Sequence, residues 1–271
     1  MSDSPQRSWI RRHRILVSVL AGVAVIVAAV IFAVTVIFDN TRTPIPVAEA
    51  LDNFRGEDSE NADGESDTDG SGLPANGVYA YATVGREAVQ TFLSTSRDYP
   101  EESAITVTPA GCGVRMEWAP LRERTEFIEV CRVDGGIALI RYGGVHEFFG
   151  MRDEYFVDCP EGTWLLPPAG MTDMKPVTCT GGNMRHDRTS TVVGTRVITV
   201  DGVEVEGIEV ATEIITSGAI NGKTMTTKVI GENGVLLFWG DEVDGFSKSA
   251  VGDVNYTESF TITIASLLPA R

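Results

Sequence analysis

Basic residues and histidine are scarce in this sequence, and recognisable catalytic signatures are missing from it. The 271-residue chain has 22 Lys and Arg against 38 Asp and Glu, a formal charge of −16. That excess repels phosphate backbones, which argues against nucleic acid as a partner. With three histidines and no G-x-S-x-G, H-E-x-x-H, S-x-x-K or phosphate loop ending in Lys, the motif-bearing hydrolase and nucleotide enzymes lose their support. The sequence therefore names no catalytic residue and no cofactor. Its four cysteines include no C-x-x-C pair, so a closely spaced thiolate metal site lacks its ligands. From Gly77 onward no amphipathic helix longer than about ten residues is evident, although Glu87 to Leu93 suits a short one.

What the chain does have is one long apolar run. Ile15 to Phe38 contains 24 residues without a charge. As a helix it spans roughly 36 Å, enough for a hydrocarbon core of about 30 Å. Arg7, Arg11, Arg12 and Arg14 precede it, whereas Asp39 and Arg42 come after. The positive-inside rule then keeps residues 1–14 in the cytoplasm and exports residues 39–271. The expected location is the plasma membrane, single-pass, with residues 15–38 in the lipid bilayer. A cleaved signal peptide using Ala48-Glu49-Ala50 is the rival, but that site lies far beyond a run already longer than a signal core. An uncleaved signal anchor is the better reading.

Residues 39–76 carry ten acidic and two basic side chains with little apolar surface, which predicts a flexible linker. Glu65, Asp67, Asp69 and Gly70 match part of a calcium loop, but Asn76 stands where a bidentate Glu belongs and Pro74 interrupts it. A solvated acidic run explains the stretch better.

Residues 77–271 alternate Val, Ile and Thr between Gly, Asp, Asn and Pro at intervals of about ten residues, which predicts an antiparallel meander, sandwich or barrel. Asp201-Gly202 signals a type I′ hairpin, and a change of apolar phase predicts a bulge at Gly207. Glu204, Glu206, Glu209 and Glu213 then mark a face toward water. Val235 to Trp239 is unbroken and apolar, so it should be covered on both faces. Phe260, Ile262 and Ile264 alternate with Thr261 and Thr263 in a last strand.

Cys112, Cys131, Cys159 and Cys179 all lie in the exported part, where an even count predicts two disulfides. If Trp118 to Thr125 closes a hairpin, Cys112 stands opposite Cys131 and Met116 opposite Phe127, leaving Cys159 for Cys179. The same register sets Val114 against Glu129, a poor match.

Two histidines in this part, His146 and His186, each precede an acidic residue, Glu147 and Asp187. Such pairs can build a base or a metal site only if geometry joins them. Trp118, Phe127, Phe238 and Trp239 are the candidates for an apolar ligand surface, against the commoner alternative of a filled core. Asn255-Tyr256-Thr257 fits a glycosylation sequon.

The stretches GVYAYATVGREAV and ITVTPAGCGVRMEWAPLRERTEFIEVCR resemble uncharacterised membrane-anchored exported proteins of actinobacteria. VITVDGVEVEGIEV, SGAINGKTMTTKVI and GVLLFW are similar in strand rhythm to LolA-like and LppX-like half-barrels. That resemblance implies a mainly β fold, an antiparallel curved sheet or half-barrel holding a lipid or another apolar ligand. The alternative is an envelope protein-interaction module that docks through its acidic face and takes no small molecule.

Overall fold

Alternation of β-branched and aromatic residues with polar ones dictates long strands, and these pair in chain order with few exceptions. The computed structural model describes residues 42–60, 72–91, 94–148, 151–249 and 252–271. The strands of the first half are β1 (Gly77–Gln90), β2 (Ser94–Asp98), β3 (Glu102–Ala110), β4 (Gly113–Leu121), β5 (Arg124–Val133), β6 (Gly136–Phe148) and β7 (Met151–Asp158). Those of the second half are β8 (Trp164–Leu166), β9 (Val177–Gly181), β10 (Met184–Val200), β11 (Val203–Gly218), β12 (Asn221–Ile230), β13 (Leu236–Ser249) and β14 (Gly252–Ile264). The antiparallel order runs β14-β13-β12-β11-β10-β9-β7-β6-β5-β4-β3-β1, with β2 beside β1 and β8 beside β6.

The sheet closes. β1 pairs with β14 from Tyr81↔Ile264 to Gln90↔Asn255, joining the two ends of the meander. The result is a 12-strand barrel, one of the architectures the strand pattern allows, where the resemblance to half-barrels implies an open curved sheet. Strand rhythm cannot distinguish the two, because closure rests on one contact between strands far apart in the chain. Closure also removes both open edges. Glu87, placed by the sequence in a short helix, sits in β1.

Local expectations fare unevenly. Asp201 and Gly202 have φ of 50° and 79° between paired Val200 and Val203, the type I′ geometry. The bulge lies on the facing strand, between Val192 and Gly194 of β10, and β11 is regular through Gly207. Between β4 and β5 the register is one residue from that predicted: Val114 faces Val130 and Met116 faces Ile128. This shift takes Glu129 away from Val114 and sets it beside Arg115, whose guanidinium it contacts at 3.2 Å.

Within the stretch read as a linker, Val47–Glu60 forms a helix, α1. Ile45, Val47, Ala50, Leu51 and Phe54 make an apolar stripe that packs on Val78 and Ala104, on the outside of β1 and β3. The acidic composition conceals this i, i+3, i+4, i+7 pattern. Glu49 also pairs with Arg122 at 2.5 Å. The transmembrane segment 15–38, the cytoplasmic tail 1–14 and the calcium-like residues 65–70 lie outside the described residues. Among the described residues no helix is long and apolar enough to cross a membrane.

Inside the barrel the wall divides into two regions. One is apolar: Trp118, Trp239, Phe260, Ile262, Ile105 and Val130 pack together, joined by Leu73, Leu165 and Val235. Trp118 stacks on Phe260 at 4.3 Å and tilts against Trp239 at 5.9 Å. The other region is built almost wholly from titratable side chains.

Candidate functional site

Strand alternation aims one residue in two at the barrel axis, so polar and charged residues in phase with the apolar core are carried inward. On β10 these are His186 and Arg188, on β12 Thr226 and Lys228, and on β13 Asp241 two residues beyond Trp239. Across the barrel, β5 supplies Arg124 and Glu126, β6 supplies Tyr142 and His146, β14 supplies Tyr256 and Glu258, and β1 supplies Glu87.

Arg124 organises one side of this chamber. Its Nε and Nη2 donate to the two oxygens of Glu258 at 3.0 Å each, Nη2 also donates to Glu126 at 2.6 Å, and Nη1 donates to the Thr125 carbonyl at 2.7 Å. Tyr99 donates to Glu258. Glu87 accepts from Arg97 at 2.6 Å and from Tyr256 at 2.9 Å, with His146 at 3.8 Å. Burial pushes the Glu87 carboxyl up, but His146, Arg124 and Arg97 outweigh it and hold the group at about 2. For Glu126 the balance reverses: burial, aided by Asp241 and Glu258, overcomes Arg124 and raises it to about 7.

The facing side is less complete. Tyr142 Oη lies 2.6 Å from His186 Nδ1, and the Arg188 guanidinium sits 5.0 Å from the Tyr142 ring centre. The phenol has no other acceptor among the described residues, so it donates to Nδ1, which leaves the imidazole proton on Nε2. Burial and the charge of Arg188 lower His186 to about 4, so the ring is neutral near pH 7. His186 and Arg188 are 7 % and 8 % exposed, yet His186 Nε2 and Arg188 Nε have no hydrogen-bond partner. Lys228 Nζ lies 4.1 Å over the Trp239 ring, and burial lowers its amine to about 8 against the pull of Asp241 and Glu126. Asp241 accepts from Trp239 Nε1 at 2.8 Å.

Several inward side chains keep contact with solvent. Glu126 and His146 retain 13 % and 19 % side-chain exposure, and Lys228, Tyr155 and Tyr256 are also only half-buried. An inward-pointing group in a closed barrel reaches solvent at an open end or where the interior is not filled. The partial exposure of these groups marks the polar region as a chamber reached by solvent, above the sealed aromatic core.

Both predicted disulfides are present, Cys112–Cys131 and Cys159–Cys179. The second has a structural task, because among the described residues β7 and β9 pair at Asp158↔Thr180 and the crosslink ties this seam. Cys179 also pairs with His186 on β10, so it helps position the chamber wall. Trp118 and Trp239 face the interior but are 0 % and 1 % exposed. Phe127 and Phe238 lie on the outer face, covered by Arg115 at 3.5 Å and Arg196 at 4.4 Å. The four thus form no common surface.

The sequence draws attention to His146 and His186 through the acidic residue that follows each, but both lie on strands and neither meets that neighbour. Neighbours along a strand point to opposite faces, so Asp187 bonds Arg185 and Thr178 on the outside while His186 meets Tyr142. Arg188, Lys228, Glu126 and Asp241 escape a reading by motif, although each is a charge in phase with buried neighbours on its own strand. Among the described residues no group of three or more His, Cys, Asp or Glu is placed to hold a metal.

The sequence matches no protein-family model and no curated protein. Among solved structures the chain is similar to the hypothetical lipoprotein YmcC from Escherichia coli (K12), at 7 % identity over 70 % of this chain and 87 % of that one. The TM-score is 0.28, too low to carry an argument about either fold or function.

Proposed function

We propose that this protein is a membrane-tethered, extracytoplasmic binding barrel that takes a small polar molecule into its chamber. The observation that carries this reading is the set of inward, half-buried titratable groups, Glu126, His146, Tyr155, Lys228 and Tyr256, surrounding space that solvent enters. Binding sites are concave, with a few converging polar groups on an apolar base. The chamber has this composition, with Trp239 and Phe260 beneath it. A polar ligand replaces the lipid expected from the strand rhythm, because the aromatic residues invoked for a lipid pack against each other or lie outside. The tether is residues 15–38, with the Arg-rich tail inside and the disulfide-bonded barrel outside.

Native mass spectrometry of the full chain, purified in detergent from its membrane, tests this. The expected result is a barrel population carrying an added small-molecule mass that denaturation releases. A barrel that never carries such a mass, from any growth condition, would return the reading to an envelope-interaction module. For the tether, protease added to intact protoplasts should remove residues 77–271; protection of that part would overturn the topology.

A further inference from the structure

Within that binding reading, the geometry points to an oxyanion subsite on the β10 wall: His186 Nε2 and Arg188 Nε together receive one carboxylate or phosphate group of the ligand. With the imidazole proton on Nε2 both atoms are donors; both are buried and neither has an acceptor, although the Arg188 guanidinium also meets the Tyr142 hydroxyl. A buried donor left unmade costs about 1 to 3 kcal/mol, and more when it is charged. Two such donors, two residues apart on one face of a strand, are explained together by a single acceptor group spanning them.

Charge supports the same conclusion. Among the described residues Arg188 makes no ion pair within 4.0 Å, and it is 8 % exposed. A buried guanidinium with no counter-ion is strongly unfavourable unless an anion joins it. The carboxylates of the chamber have other partners: Glu258 and Glu126 answer Arg124, Glu87 answers Arg97, and Asp241 accepts from Trp239. Lys228, which also makes no contact ion pair among the described residues, adds a second positive charge and feels that of Arg188. Tyr142 fixes the imidazole by holding Nδ1, so Nε2–H is presented without a rotamer or tautomer search. An oxyanion with two oxygens fits this pair; a neutral sugar or an ammonium group would leave the guanidinium uncompensated.

The test uses the full chain in detergent, titrated with sodium acetate and, separately, sodium phosphate, each against sodium chloride at equal ionic strength. Thermal unfolding and the NMR signal of His186 Nε2 are followed together. The expected result is a higher midpoint with acetate or phosphate than with chloride, and a shift of the Nε2 resonance that saturates. Whichever of the two acts more strongly identifies the oxyanion as carboxylate or phosphate. Arg188→Met should abolish the response and, without anion, unfold at a higher temperature than the native chain, because an unpaired buried charge has gone. His186→Gln, which keeps a donor, should weaken binding by about ten- to hundredfold or less, with Arg188→Met weaker still. An equal anion response in native chain and Arg188→Met would overturn the subsite, as would a lowered basal midpoint in Arg188→Met. If neither anion acts but a neutral molecule copurifies with the barrel, the subsite fails and the chamber reading stands. If nothing copurifies either, both fail.

Discussion

Replacing Arg124 by Met should be the most damaging single charge removal in the barrel. The guanidinium is 1 % exposed and bonds Glu258 at 3.0 Å through both oxygens, Glu126 at 2.6 Å and the Thr125 carbonyl at 2.7 Å. Without it, two carboxylates that already repel one another remain inside the barrel with no cation in contact. Breaking one side of a buried pair costs about 3 to 5 kcal/mol. Set against a typical stability of about 5 to 15 kcal/mol, this is a large fraction of the whole. The assay is denaturant unfolding followed by tryptophan fluorescence, since Trp118 and Trp239 lie in the adjoining core. Pairing Arg124→Met with Glu258→Gln should recover more than half of the loss, and the double-mutant cycle should report a coupling of at least about 1 kcal/mol. Acidification should narrow the gap between Arg124→Met and the native chain, because protonating Glu126 removes a stranded charge. A loss below about 1 kcal/mol, with no coupling, is how an exposed ion pair behaves. That result would refute the placing of Arg124 and Glu258 away from solvent.

Three further outcomes are expected. His186 is lowered from 6.5 to about 4, so the unfolded chain takes up the proton first and the stability present above 6.5 is lost as pH falls toward 4. Glu126, raised from 4.5 to about 7, acts oppositely, because the folded state holds the extra proton and stability declines as pH rises through that window. His186→Gln should therefore remove the acid-side loss and expose the Glu126 slope in midpoints measured against pH; an unchanged pH profile would contradict the assignment. Trp239→Ala should cost about 3 to 5 kcal/mol in denaturant unfolding, the penalty of an emptied core site. The double substitution Cys159→Ala and Cys179→Ala should cost about 2 to 4 kcal/mol and speed amide exchange in β7 and β9 ahead of β12 and β13. Uniform acceleration across the barrel would count against a local seam.

Whether a feature is legible in the sequence depends on whether its contacts are local. The Asp201-Gly202 turn, the covered Val235 to Trp239 strand and the two-faced last strand depend on neighbours in the chain, and each is readable. Cysteine pairing survives the one-residue error in the β4–β5 register, since that shift leaves Cys131 beside Gly113, next to Cys112. Barrel closure is not legible, because no local signal says that β1 will meet β14. Helix α1 is hidden by the acidity of its exposed side, although Val47, Ala50, Leu51 and Phe54 carry the helical period. The chamber is hidden for a related reason. Arg188, Lys228 and Asp241 belong to no motif, their strand face is seen to point inward only once the barrel closes, and side chains they meet come from other strands. A charge standing in phase with buried neighbours is the available signal.

The most direct test of the wet chamber is competitive acetylation of lysines in the folded, full-length protein by a small water-soluble reagent, read by peptide mapping. Lys223, 52 % exposed on the outer wall, is the internal standard. Lys228 points inward with its amine lowered to about 8, so a larger share of it is the reactive free base at neutral pH. Lys228 is predicted to react under native conditions at a rate insensitive to global stability, and to slow when acetate or phosphate is added. Reaction of Lys228 only as fast as the whole barrel unfolds would contradict a solvent-filled interior and, with it, the binding function.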